Sequence, residues 1–230
     1  MAKRPAPKRL TPPTAAEVLI TLEKRGSKRF RDQMGPRFGI FAKHAYGVPM
    51  AKIQALAKEI GPSHALAAAL WKTGCYDARL LAAFVDEPEK VRPGQMDRWA
   101  KDFDNWGVVD TVCFKLFDQT PHAFGRVDAW ATSKAEFVKR AAFALLASLA
   151  LHTKDNDAEI AKRFVLIEKA ATDDRNFVKK GVSWALRAIG GKRPRLAAKA
   201  RALATKLAAS DNTAARWIGK DAMREFARKA

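Results

Sequence analysis

Cysteine is nearly missing from this sequence: Cys75 and Cys113 are the only two, and they form no CxxC pair. The four histidines (His44, His64, His122 and His152) are scattered without ligand spacing. A metal centre built on a local motif is therefore excluded, no cofactor is signalled, and both thiols are expected as buried residues of a reducing compartment. Long apolar runs are lacking too. The longest, Ala141 to Leu151, is interrupted by Ser148 and falls short of the ~18–20 residues that span a bilayer. The basic N-terminus MAKRPAPKRLTPP has no apolar core of the signal-peptide kind. A soluble cytoplasmic protein without membrane contact is expected.

Negative charge is scarce. Asp and Glu number 24 against 43 Lys and Arg, giving a formal charge of +19 and a pI near 10.2. Such a surface attracts polyanions, so nucleic acid is the leading partner and an acidic protein the competitor. The excess is uneven. Residues 175–230 hold fifteen cations to three carboxylates, whereas residues 76–120 hold six to nine. A basic C-terminal part suited to gripping a phosphate backbone thus follows an acidic middle.

What is present is helical periodicity. Residues 1–13 mix four cations with four prolines and read as a flexible basic tail; residues 14–230 read as one domain. Thr14-Ala15-Ala16-Glu17 is a capping-box signature ahead of Val18, Leu19 and Leu22. Ser27 to Gly39, broken by Gly35-Pro36, holds at most a brief helix on this reading. Beyond Pro49, helices are expected at 50–60, 65–73, 76–85, 94–103, 105–118, 121–131, 133–152, 155–171, 174–189, 194–209 and 212–229. Convincing strands are few. The pattern also recurs: Phe137-Val138-Lys139-Arg140 and Phe177-Val178-Lys179-Lys180 stand forty residues apart, with Tyr76-Asp77-Ala78-Arg79 as a looser copy. A period near forty made of helix pairs is the size class of HEAT repeats. The expected fold is all-α, a HEAT-like superhelical solenoid with a basic concave groove, in which the repeated cations suit a row of phosphate contacts.

Chemistry concentrates in Asp102 to Cys113, DFDNWGVVDTVC. Trp106 and Asp110 stand four residues apart, on one helical face, a ring edge beside a carboxylate. EFVKRAAFALLA from Glu136 adds Arg140, and NFVKKGVSWALRAIG from Asn176 adds Trp184 and Arg187. A carboxylate can stabilise positive charge developing on a sugar, indole faces can bracket a cation, and an arginine can hold a phosphate through two bonds. The other four tryptophans, Trp71, Trp99, Trp130 and Trp217, read as structural.

These three motifs, with ALWKTGCYDARLLAAF from Ala69, resemble the bacterial AlkD-like family of HEAT-repeat DNA alkylation repair proteins. The resemblance implies a metal-free, cofactor-free monomer that binds alkylated double-stranded DNA. It also implies excision of cationic N3- or N7-alkylated purines by glycosidic cleavage, without a pocket that swallows the flipped base. By position, Asp110 corresponds to the catalytic aspartate, Trp106 and Trp184 to the groove tryptophans, and Arg140 to the arginine on the DNA backbone. Arg187 is a further DNA-contacting candidate; Arg79 and Lys180 occupy repeat positions similar to that of Arg140, Lys139 and Lys179 precede that position in their copies, and either Lys139 or Arg140 reaches DNA. Two departures stand out: Val109 replaces a cysteine found in many relatives, and the region before Gly39 is short. A non-catalytic DNA-binding protein of the same fold, or a scaffold for an acidic protein, are the competing readings.

Overall fold

The structure, a computed structural model, describes residues 13–228. Residues 1–12 of the expected tail and Lys229 lie outside the described residues. Among the described residues all regular structure is helical, with no strand. They group into two compact units that meet in sequence between Glu87 and Pro88. No helix among them is long and apolar enough to cross a membrane.

The N-terminal unit holds five helices. In α1 (Ala15–Arg25) the Thr14 hydroxyl accepts from the Glu17 amide at 3.3 Å while the Glu17 carboxylate accepts from the Thr14 amide at 2.8 Å, the reciprocal cap its sequence implied. The next segment corrects an expectation. Lys28–Phe38 forms an eleven-residue helix, α2, despite Gly35-Pro36. Ser27 caps its start through the Phe30 amide. Pro36 falls in the last turn, where the bond it cannot make would go to the carbonyl of solvent-exposed Asp32. Gly39, at φ 64°, donates to the Gly35 carbonyl and Ile40 to that of Met34, which closes the end.

α3 (Met50–Ile60), α4 (His64–Lys72) and α5 (Tyr76–Val85) follow where the apolar spacing placed them. Ile53, Leu56, Leu66, Leu70, Leu80 and Leu81 bury their side chains among these helices. Each such burial contributes about 1.5–3 kcal/mol. Asp77, in the loose third repeat copy, is fully buried. Its carboxylate accepts from the Tyr46 and Val48 amides at 2.6 and 2.8 Å, so it anchors the segment that joins α2 to α3.

The C-terminal unit runs through α6 (Pro93–Lys101), α7 (Trp106–Lys115), a 3-10 turn at Phe117–Gln119, α8 (Ala123–Trp130) and α9 (Glu136–His152). It continues with α10 (Asp157–Lys162), α11 (Phe164–Ala170), α12 (Asn176–Lys192), α13 (Pro194–Ala208) and α14 (Thr213–Ala227). α9 is its centre. The run AAFALLASLA is apolar on every face, and Arg140 to Ala150 is buried without interruption. A helix of that kind needs neighbours all round, and α7, α8 and α12 supply them. α12 in turn packs against α13 and α14.

Two buried arginines organise the joints. Arg163 breaks the single helix expected over 155–171: it donates to the Glu159 carbonyl at 2.7 Å and reaches Asp128 at 2.6 Å. Arg193, between α12 and α13, donates to the carbonyls of Leu149, Ala150 and Thr153. It thereby satisfies the Ala150 carbonyl, one of the orphan acceptors at the C-terminus of α9, and ties the cap residue Thr153 to the joint between α12 and α13. Cys75 and Cys113 are buried and unbridged.

Candidate functional site

Asn105 sets the site's first wall. Its side chain accepts from the Val108 amide at 3.0 Å and starts α7, with Trp106 as first residue and Asp110 one turn on. Val108, Val109 and Val112 face the core, so Trp106 and Asp110 are left half-buried on the opposite side. Val109 is fully buried, so its side chain acts in core packing rather than in the cleft.

The second wall is the repeat itself. Phe137 of α9 and Phe177 of α12 lie with ring centroids 5.1 Å apart, so the two FVK segments begin side by side. Three positions on, the copies diverge. Arg140 is 6% exposed and turns inward. Its Nε and Nη2 donate to both oxygens of Asp110 at 2.9 and 2.7 Å, and its Nη1 donates to the Phe177 carbonyl at 2.9 Å. The guanidinium also lies 6.0 Å from the Trp106 ring centroid. Lys180, the matching residue of α12, is exposed.

α12 and α14 complete the cleft. Asp110, Arg140, Lys180, Trp184, Arg187, Trp217 and Asp221 line a space of about 450 Å³. Trp184 is supported from behind by Phe114 of α7, whose ring stacks on it at 6.4 Å and 22°. Phe114 meets the His152 ring edge-on at 4.1 Å, and His152 is bonded to buried Asp118 at 2.5 Å. Arg187 is held by Asp221 at 3.3 Å, and Asp221 accepts from Ser183 at 2.6 Å.

Burial pushes the Asp110 carboxyl above its ordinary value, and the Arg140 guanidinium pulls the other way. The two charge-assisted bonds from Arg140 favour its ionised form. Its side chain keeps 20% of its surface accessible. A carboxylate offers about four lone-pair positions, so those not taken by Arg140 remain available toward the cleft. A desolvated anion there acts on a nearby cation more strongly than one in water.

The other expected cations are distributed unevenly. Lys139 does not reach the cleft: it pairs with Asp173 at 2.9 Å. Lys179 lies with its ammonium 5.0 Å from the Trp217 ring centroid. Arg79 belongs to the N-terminal unit, its guanidinium over Trp71. Asp221, which no sequence expectation covers, and Trp217, expected as structural, both line the cleft; Trp71, Trp99 and Trp130 are buried as expected. The mixed row RWIGKD gave a signal for Trp217 and Asp221, since the two stand one helical turn apart. Among the described residues no cluster of three or more His, Cys, Asp or Glu is placed to hold a metal ion.

Comparison with known proteins gives concordant results. One solved structure superposes with a TM-score of 0.76 at 21% identity, covering 92% of this chain and 95% of that one. It is described as one of a new family of proteins related to the HEAT-like repeat DNA glycosylases with affinity for branched DNA structures. The fold is therefore of the HEAT-like repeat kind. A designed armadillo repeat protein in complex with the peptide (KR)4 aligns over 90% of this chain and 80% of its own, at 14% identity and a TM-score of 0.37, too loosely to carry an argument. No curated protein matches significantly. The profile of the DNA alkylation repair enzymes matches residues 21–228, nearly the whole sequence, and the chain belongs to that family.

Proposed function

We propose that the protein is a DNA glycosylase that removes N3- or N7-alkylated, cationic purines from duplex DNA, acting as a cytoplasmic monomer. The observation that carries this reading is the half-buried, Arg140-oriented carboxylate of Asp110 in one cleft with the Trp184 ring and the cations Lys180 and Arg187.

Alkylation at N3 or N7 gives the purine a positive charge and makes it a good leaving group. The bond from C1′ to the base nitrogen breaks with both electrons going to the base, which leaves neutral. Positive charge then develops on the sugar. Asp110 stabilises it electrostatically, and water adds at C1′ while its proton passes to the carboxylate or to solvent. The products are free alkylpurine and an abasic site. Indole faces of Trp106 and Trp184 favour a cationic sugar by about 0.5–2 kcal/mol each, and Lys180 and Arg187 hold phosphates so that the sugar stays beside Asp110. Removal of one such electrostatic partner costs about 100- to 1,000-fold in rate in comparable sites.

The test is a single-turnover incubation with duplex carrying one 7-methylguanine, scored for abasic-site cleavage. Excision by the parent, lost in Asp110→Asn with DNA affinity kept, is the expected result. Equal activity of parent and variant rejects Asp110 as the catalytic group. A second reading rests on the same ion pair: with both oxygens of Asp110 bound by Arg140, the cleft serves binding alone, on branched DNA as described for the structural relative. No excision by the parent, with tight salt-sensitive binding to a four-way junction, would establish that reading.

A further inference from the structure

In the N-terminal unit, Phe41 is 78% exposed, the most exposed of the large apolar side chains among the described residues. It is nevertheless held in place. A Cβ on Gly35 would come within 2.8 Å of Phe41 Cε1, so the ring rests on the bare backbone of α2 and turns its free surface to solvent. Its segment is anchored at the far end by Asp77, through the Tyr46 and Val48 amides. Gly47, at φ 74°, passes so close to Ser27 and Arg31 that no side chain fits there. An exposed aromatic on a fixed support loses little freedom when something stacks on it.

Its surroundings say what that partner is. From Lys28 to Lys43 the chain carries five Lys or Arg and one carboxylate. The carboxylate, Asp32, lies at the edge of the same cleft, 2.7 Å from the Lys28 ammonium and 3.9 Å from Arg31 Nε, so it is outnumbered by the cations around it. Arg31 and Lys43 are exposed and, with Gly35, Phe41 and His44, line a cleft of about 510 Å³. That volume suits a small planar ligand. A flat apolar face ringed by cations matches an unpaired nucleotide, whose base stacks while its phosphates meet the guanidinium and ammonium groups.

We infer that Phe41, with Arg31 and Lys43, forms a stacking site for an unpaired base of single-stranded or gapped DNA. The site is separate from the Asp110 cleft and rests on the reading of DNA as the partner, though not on excision.

The experiment uses the full chain and oligonucleotides without alkylated bases: an intact duplex, and the same duplex with a short gap exposing one 2-aminopurine. Expected are quenching of 2-aminopurine fluorescence and an affinity gain of about tenfold for the gapped DNA. Phe41→Ala abolishes both and leaves intact-duplex affinity unchanged, Phe41→Trp restores them, and Arg31→Ala with Lys43→Ala weakens the salt dependence. Gly35→Ala, which displaces the ring, mimics Phe41→Ala. Equal binding of the two DNAs by the parent, or an unaltered preference in Phe41→Ala, overturns the site while leaving the glycosylase reading intact. Phe41-dependent binding to vesicles of anionic phospholipid without any gap preference would overturn it in favour of a membrane contact. A Phe41-dependent preference in a protein that excises nothing upholds the site and removes the glycosylase reading.

Discussion

Arg140 and Asp110, thirty residues apart in sequence, meet as a fork-on-fork pair with bonds of 2.9 and 2.7 Å, and the remaining arm of the guanidinium binds the Phe177 carbonyl at 2.9 Å. One side chain thus ties α7, α9 and α12 together. Arg140→Ala leaves a half-buried carboxylate and a backbone carbonyl without their partner, and should cost about 3 kcal/mol, read as a lower urea midpoint. Arg140→Lys keeps the charge but cannot fork, and should fall between. In a double-variant cycle with Asp110→Ala the two losses should be strongly non-additive.

Lys139 stands beside Arg140 but does a different job. Its ammonium, with the fork of Arg175, holds the Asp173 carboxyl well below the ordinary carboxylate range, the Arg175 bonds being the larger cause. A depressed folded pKa means that the stabilisation is present above the unfolded value, about 3.9, and is lost as pH falls through the folded one. Asp173→Asn should therefore lower stability at pH 7 by about 1–3 kcal/mol. The gap between parent and variant should begin to narrow as the pH falls below about 4. Matched denaturation curves at pH 7 and pH 3 check it.

Salt dependence separates cations that meet DNA from those that hold the fold. Lys180 is exposed on the cleft, whereas Lys139 is committed to Asp173. Lys180→Ala should reduce the slope of log K against log salt by about 1. Lys139→Ala should lower the melting temperature and leave that slope as it was. Fluorescence anisotropy between 50 and 200 mM salt gives both slopes.

Gly219 of α14 faces the backbone of α13. A Cβ there would collide with the amide of Ala208 and stand 2.5 Å from the Ala204 carbonyl and 2.7 Å from the Ala208 Cα. Gly219→Ala gains about 1 kcal/mol of helix propensity but must push two backbones apart. The loss should exceed the gain, with net destabilisation of about 2 kcal/mol or more, seen as a lower thermal midpoint.

Local information recovered most helices, because capping residues, glycine stops and apolar periodicity act within a turn or two. The Thr14–Glu17 cap and the limits of α3 and α5 are cases in point. Where a distant partner decides, the sequence was mute. The break at Arg163 depends on Asp128, thirty-five residues away. The fate of the repeated cations likewise depends on Asp110, Asp173 and Trp217: identical-looking FVK[R/K] positions became a buried fork, a carboxylate clamp, a cation over an indole and an exposed lysine. α2 was underestimated for a different reason. Its Gly35-Pro36 pair reads as a stop, yet it sits where a helix is ending anyway.

The agents that alkylate DNA also attack thiolates, so a repair protein meets the reagent as well as its damage. Both thiols of this chain are sealed, each 0% exposed. Burial pushes both thiols up, Cys113 most strongly, so neither offers the anionic sulfur that reacts with electrophiles. The folded protein should therefore take up no label from iodoacetamide until it unfolds.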